Sequence, residues 1–142
     1  MSVANLLLGR RDFCSENEIV EQIRRSKNYR NDLEEGPGYG LLIFDTSNQN
    51  TWLVCSPKRL YVILDDIRRP EPRVQWTTKQ IPPKVGMDSK SERTGIVYLN
   101  ERPKGWLYSK RIFATIPIED QIQNLVQRDK KPAVQAKKAE IS

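Results

Sequence analysis

The chain has no histidine, and this absence removes several classes of functional site from consideration. The Ser-His-Asp and Cys-His catalytic arrangements both need an imidazole, as does every zinc site with a histidine ligand. Histidine is also the side chain that most often carries protons at neutral pH. These histidine-dependent sites are therefore excluded.

Cysteine is nearly absent as well, since the chain holds two, Cys14 and Cys55. Two thiols cannot form a structural zinc site alone or a disulfide framework. Each lies beside apolar residues, which favours buried, reduced thiols over the alternative of a Cys14–Cys55 bridge. Reduced thiols, together with the lack of a signal-peptide pattern in the first residues, predict a cytoplasmic location.

Long apolar runs are missing too, because the longest is the five residues 60–64, LYVIL. No transmembrane segment is predicted, since a spanning helix needs about 20 apolar residues. The length of 142 residues suits a single domain of about 150 residues, and 37% hydrophobic with 30% charged residues indicates a globular, strongly hydrated one.

The net charge of +6 is unevenly distributed. Residues 128–142 contain five basic and two acidic residues, so they carry half of the excess. They show no apolar periodicity, which predicts a disordered basic tail. The remainder is mildly basic, a weak indication of nucleic acid or an anionic lipid as partner.

A helix is predicted over residues 15–30, after an N-terminal segment of residues 1–14. Ser15 and Glu18 have the spacing of a capping box, and Ile19, Val20 and Ile23 form a narrow apolar stripe. So short a stripe indicates a helix that packs on the outside of a larger body.

Short runs of β-branched, aromatic and aliphatic residues then predict about seven strands. The predicted strands cover residues 39–45, 51–55, 59–65, 73–79, 94–99, 105–109 and about 111–115. The third is apolar on both faces and should be central, whereas Val74 and Trp76 in the fourth suggest one wet face. Residues 81–92, with two prolines and Gly86, suggest a mobile connection, and a last helix starts near Pro117 with Ile122 on its apolar face.

This order of elements predicts an α+β fold, an antiparallel curled barrel over residues 39–127 capped by the C-terminal helix. Residues 52–62, WLVCSPKRLYV, resemble the hairpin of bacterial PH-like domains, the pleckstrin-homology or GRAM-type superfold. There an aliphatic strand ends in Thr or Ser, a short basic turn follows, and Arg-Leu opens the next strand. The resemblance implies the barrel fold, and related folds take extended peptides by strand addition.

Two binding surfaces are predicted within this fold. Basic residues at strand ends and turns could form an anion-attracting rim, or could be independent solvated charges: Lys58, Arg59, Lys104, Lys110 and Arg111. The second surface is a peptide-binding groove between an exposed strand edge and the closing helix. Its edge is placed at residues 73–78 and includes Arg73, Gln75, Trp76 and Thr77.

Enzymatic alternatives have weaker support. Asp88 and Lys90 have the Asp-X-Lys spacing of metal-dependent nucleases, with Asp65 as a second carboxylate, but Asp88 falls in the predicted connection. The acids at 65 and 66 are expected to pair with nearby arginines. Gly36 to Gly40 lacks the following helix that a phosphate-binding loop needs.

The sequence therefore predicts a non-catalytic binding or adaptor module without a cofactor or metal, whose partner is a protein or peptide. The first alternative is an anionic-ligand binder for nucleic acid or a lipid headgroup, and the second is the metal-dependent nuclease.

Overall fold

The computed structural model describes residues 3, 7–100, 105–110, 112 and 117–141, with side chains as far as Asp129. Helix α1 is Glu16–Arg25 and helix α2 is Ile118–Ile141, with a 3-10 turn at Arg30–Leu33. The strands are β1 (Tyr39–Asp45), β2 (Gln49–Cys55), β3 (Leu60–Asp66), β4 (Arg73–Thr78), β5 (Val85–Ser89), β6 (Thr94–Leu99) and β7 (Gly105–Ser109).

The seven described strands form two antiparallel sheets, ordered β1-β2-β3-β4 and β5-β6-β7. The α+β class, the antiparallel strands and the final helix are thus confirmed. Over the described ranges no hydrogen-bonded ladder joins the two sheets, although β1 packs beside β7. Closure into a curled barrel therefore stays a prediction.

The main core lies between the two sheets and α2. Side chains from β2 and β3 meet Val97 and Leu99 of β6, and Ile118, Ile122, Leu125 and Val126 of α2 cover them. Trp76 of β4 and Trp106 of β7 meet across the interior, with ring centroids 5.2 Å apart. The predicted apolar face of the last helix is therefore the face that it buries.

A second apolar cluster holds α1 on the outer face of the first sheet. The capping box is present, since the Glu18 amide donates to Ser15 Oγ and the Ser15 amide to Glu18 Oε1. The buried stripe of α1 packs on the outward-facing side chains Val54, Tyr61 and Ile63. The main core covers one face of β3 and α1 covers the other. This double cover explains why β3 carries apolar residues on both faces.

Two elements differ from the sequence prediction, and a third predicted element lies outside the described residues. Helix α1 ends at Arg25 rather than near residue 30. Residues 85–89 form β5 instead of a mobile connection, because their pairing with β6 supplies hydrogen bonds that local propensity does not report. The strand predicted at about 111–115 lies outside the described residues, apart from Ile112, which is in a turn.

Helix α2 continues to Ile141 through the segment predicted as a disordered tail. Alanine, glutamine, lysine and glutamate make up most of that segment, and all have high helix propensity. The sequence prediction considered apolar periodicity and gave this propensity too little weight. Near residue 128 the helix still contacts the body, since the Arg128 guanidinium lies 4.6 Å from the Tyr39 ring centroid.

An ion pair fixes the segment before α1 to the end of β3. Arg11 Nη2 lies 2.5 Å from Oδ1 of Asp65, whose side chain is fully buried. The Cys14 amide donates to Asp65 Oδ2 at 2.7 Å, and Arg11 Nε donates to the Arg69 carbonyl at 2.8 Å. Burial and the Asp65 carboxylate raise the pKa of the Cys14 thiol. We call Arg11, Asp65 and the Cys14 amide the N-terminal clamp.

Asp66 pairs on the surface with Arg68, as the sequence predicted for the acids of this turn. Two hydrogen bonds from the Arg68 guanidinium lower the pKa of Asp66 from 3.8 to about 2. A lowered carboxyl pKa stabilises the fold above the unfolded-state pKa, and this contribution is lost as the pH falls through the folded-state value.

We therefore expect Asp66→Asn to lower the free energy of unfolding at neutral pH by less than about 1 kcal/mol, because the pair is exposed. The difference from the parent protein should shrink below pH 4 and vanish as the pH falls below about 2. Urea unfolding at several pH values measures it. A difference that stays constant with pH would contradict the assignment.

Candidate functional site

Strand β4 is an edge strand, as the sequence predicted for residues 73–78. Along the described chain its backbone pairs with β3 on one side and with no other strand. Its second side therefore presents backbone N–H and C=O groups that can pair with an added strand. The predicted edge residues Arg73, Gln75, Trp76 and Thr77 all lie on it.

A β-bulge at Gln75 changes which face each side chain of β4 takes. Trp76 pairs with Val62 and Val74 with the next residue, Ile63, so Gln75 has no partner on β3. Trp76 consequently packs in the inner core and Val74 in the outer cluster beneath α1. Arg73 and Gln75 are exposed as predicted, but Val74 and Trp76 do not share one face, because the extra residue reverses the alternation within the strand.

A groove runs between this end of β4 and helix α1. Its volume is about 390 Å³, and Ile63 and Val74 contribute apolar surface to it. One wall comes from α1 and the residues after it: Gln22, Arg25, Ser26, Asn28 and Tyr29. The other wall comes from Glu71, Pro72 and Arg73, which lead into β4. We call this the β4–α1 groove.

Contacts with the Tyr61 ring and the Arg59 guanidinium hold Tyr29, the aromatic side chain of the groove wall. Its ring meets the Tyr61 ring edge-on at 5.5 Å, and the Arg59 guanidinium lies 5.6 Å from its centroid. The Tyr61 hydroxyl donates to Asp32, which also pairs with Arg59 Nε at 3.1 Å. Burial and then the Asp32 carboxylate raise the pKa of Tyr61. The wall is thus anchored to β3.

The charges of the groove are mixed with a basic excess. Arg25 and Arg73 line it together with the single acid Glu71, and the neutral donors and acceptors Gln22, Ser26 and Asn28 complete the polar lining. Such a surface can pair with a backbone and with acidic or polar side chains. The sequence prediction placed the groove against the closing helix, but α2 packs mainly on β1 and β2.

The residues of the predicted basic rim are separated. Lys58 Nζ lies 3.4 Å from Glu35, and Arg59 is the partner of Asp32, both in the turn between β2 and β3. Lys110 follows β7 and donates to Ser89 Oγ at 2.6 Å and to the Ser91 carbonyl at 2.8 Å. Lys104 and Arg111 lie outside the described residues.

Lys58 and Lys110 lie near opposite ends of β1. The turn with Lys58 follows Cys55, which pairs with Tyr39 at the start of β1. Lys110 lines a surface cavity with Phe44 and Asp45 at the end of β1. Because six steps along a strand cover about 20 Å, these basic residues do not meet.

The two carboxylates of the nuclease alternative, Asp65 and Asp88, lie on different sheets, and Asp65 is already bound by other residues of the chain. Asp65 belongs to the N-terminal clamp, with both carboxylate oxygens in contact. Asp88 lies on β5 of the other sheet, and not in a loop as predicted, while Lys90 is exposed just after it. Among the described residues, no group of three or more Cys, Asp or Glu side chains could hold a metal ion.

Sequence reasoning missed the part that α1 plays in the groove. The signal that could have located it is the outward apolar residues of β3, Tyr61 and Ile63, which require a cover. The stripe of α1 is the cover, and it brings Gln22 and Arg25 beside β4.

No family model, curated protein or solved structure is significantly similar to the chain.

Proposed function

We propose that the protein is a non-catalytic binding module that takes an extended segment of a partner protein along the edge of β4. The observation that carries this proposal is that β4, the last strand of its sheet, also lines a groove with helix α1 through its first residues, Arg73 and Val74. In strand addition, backbone hydrogen bonds to the sheet edge supply affinity and side-chain pockets supply specificity. The edge of β4 offers the backbone groups, and the β4–α1 groove beside it offers the side-chain pocket.

The fold that supports this function is the PH-like curled barrel. Sheets of four and three antiparallel strands followed by a helix over the core agree with that superfold. Residues 52–62, whose sequence resembles the PH-like hairpin, form β2, the turn and the start of β3. Closure of the two sheets into one barrel is part of the proposal.

The alternatives have less support from the contacts. A basic rim would need Lys58 and Arg59 to be available, but both are paired with acids and lie away from Lys110. A nuclease would need Asp65 to bind metal, but its oxygens are held by Arg11 and the Cys14 amide. The β4–α1 groove requires no such rearrangement.

Peptides selected from a display library against the full chain provide the test. We expect the selected peptides to be extended and to carry acidic side chains, because Arg25 and Arg73 line the groove. Arg25→Glu with Arg73→Glu should weaken the Kd about tenfold or more through charge repulsion, as calorimetry would measure.

The matched control is Lys90→Glu with Arg93→Glu, which makes the same change in net charge at the exposed turn between β5 and β6. This pair should leave the Kd within about twofold, since distant exposed charges are largely screened. Equal weakening by both pairs would show attraction to net charge instead of recognition in the groove.

A further inference from the structure

Exposed apolar side chains are concentrated near the start of the chain. Six large apolar residues of the described part are at least 36% exposed, and four of them precede α1. These four are Val3 at 72%, Leu7 at 80%, Leu8 at 63% and Phe13 at 36%. We call them the N-terminal apolar residues. Exposed apolar side chains grouped in one segment of chain are a feature of interaction sites.

The chain that carries these residues is held to the body. Gly9 adopts a positive φ of 68°, and Arg11 follows two residues later. The Arg11 amide donates to the Ile67 carbonyl at 3.0 Å, and its side chain makes the N-terminal clamp with Asp65. Leu7 and Leu8 are therefore presented a few residues from a fixed anchor.

Three further arginines lie close to this anchor, in the chain or in the fold. Arg10 precedes Arg11, and the Arg69 carbonyl accepts from Arg11 Nε, which places the turn with Arg68 and Arg69 beside it. Asp66 neutralises Arg68, and Arg10 and Arg69 together outnumber the single acid beside the anchor, Asp12. Residues 1–11 contain no acidic side chain.

We propose that the N-terminal apolar residues insert into the surface of an anionic membrane, with Arg10 and Arg69 at the lipid headgroups. Val3, Leu7 and Leu8 are exposed aliphatic side chains, and Arg10 lies in the same segment of chain. A bilayer interface accepts aliphatic side chains at shallow depth and attracts nearby arginines by its negative surface potential.

Insertion of this kind is peripheral and reversible. Over the part of the chain that the structure describes, no helix has the length and hydropathy to cross a bilayer. A few inserted side chains give marginal binding alone, and a basic cluster beside them supplies the second attraction that stable anchoring needs. Binding should therefore need apolar insertion and anionic lipid together.

Co-sedimentation of the full chain with sucrose-loaded vesicles tests this. We expect binding to phosphatidylcholine vesicles with about 30% phosphatidylserine, and at least tenfold weaker binding to phosphatidylcholine alone. Leu7→Glu with Leu8→Glu should abolish the binding. Arg10→Glu with Arg69→Glu should weaken it about tenfold or more, and raising the salt concentration should do the same.

The control is Leu107→Glu, because Leu107 is another exposed leucine, at 45%, on β7. It should leave vesicle binding unchanged, and all variants should keep the thermal midpoint because the changed side chains are largely exposed or at the surface. Absence of vesicle binding, or equal loss in Leu107→Glu, would overturn the proposal and indicate a protein partner or general adsorption.

Discussion

Replacing Arg11 with alanine should lower the free energy of unfolding by about 3–5 kcal/mol. Asp65 has no exposed surface, and Arg11 is its partner at 2.5 Å. Removing the guanidinium leaves a buried carboxylate with the Cys14 amide as its remaining donor within the clamp. A buried charge without its counter-ion is among the most destabilising features that one substitution can create.

A double-mutant cycle separates this cause from loss of packing. Asp65→Asn in the Arg11→Ala background removes the buried charge, so it should recover about 1 kcal/mol or more. The control Arg68→Ala breaks a pair in which the arginine is 55% exposed, so it should lower the free energy of unfolding far less than Arg11→Ala. Urea unfolding measures the parent protein, Arg11→Ala, Asp65→Asn, the double variant and the control, and equal costs for Arg11→Ala and Arg68→Ala would contradict the clamp.

Ile23→Ala should lower the free energy of unfolding by about 2–5 kcal/mol. Ile23 of α1 is fully buried against the outward face of the first sheet, in one cluster with Val54 of β2 and with Tyr61 and Ile63 of β3. Truncation leaves a cavity that the sheet cannot fill, since the strand backbone is held by its neighbours. Urea unfolding again provides the measurement.

The comparison for Ile23→Ala is Leu107→Ala, which truncates a side chain that is 45% exposed and should change stability by less than about 0.5 kcal/mol. Peptide affinity adds a second readout, because α1 forms one wall of the β4–α1 groove. If Ile23→Ala costs no more than Leu107→Ala, α1 is not packed on the sheet as described.

Much of the fold could be predicted from local sequence. The Ser15 capping box located the start of α1, and the apolar residues on both faces of β3 predicted a central strand. These succeeded because each signal is complete within a few neighbouring residues. Strand β5 was missed because Pro82, Pro83 and Gly86 favour a loop, and its pairing partner β6 lies further along the chain.

The site depended on longer-range contacts. Asp65 was expected to pair with the arginines that follow it, yet its partner is Arg11, 54 residues earlier in the chain. The bulge at Gln75 has no distinctive local sequence, so the reversal of faces between Val74 and Trp76 could not be predicted. The edge position of β4 was predicted, whereas its groove required α1 to be placed.

Residue-resolved amide exchange with a selected peptide tests the central claim most directly. An added strand pairs with the free edge, so amides within Arg73–Thr78 should exchange about tenfold or more slowly in the complex, while β5, the edge of the other sheet, stays unchanged. Slowed exchange at β5, with β4 unaffected, would contradict the β4–α1 groove as the binding site.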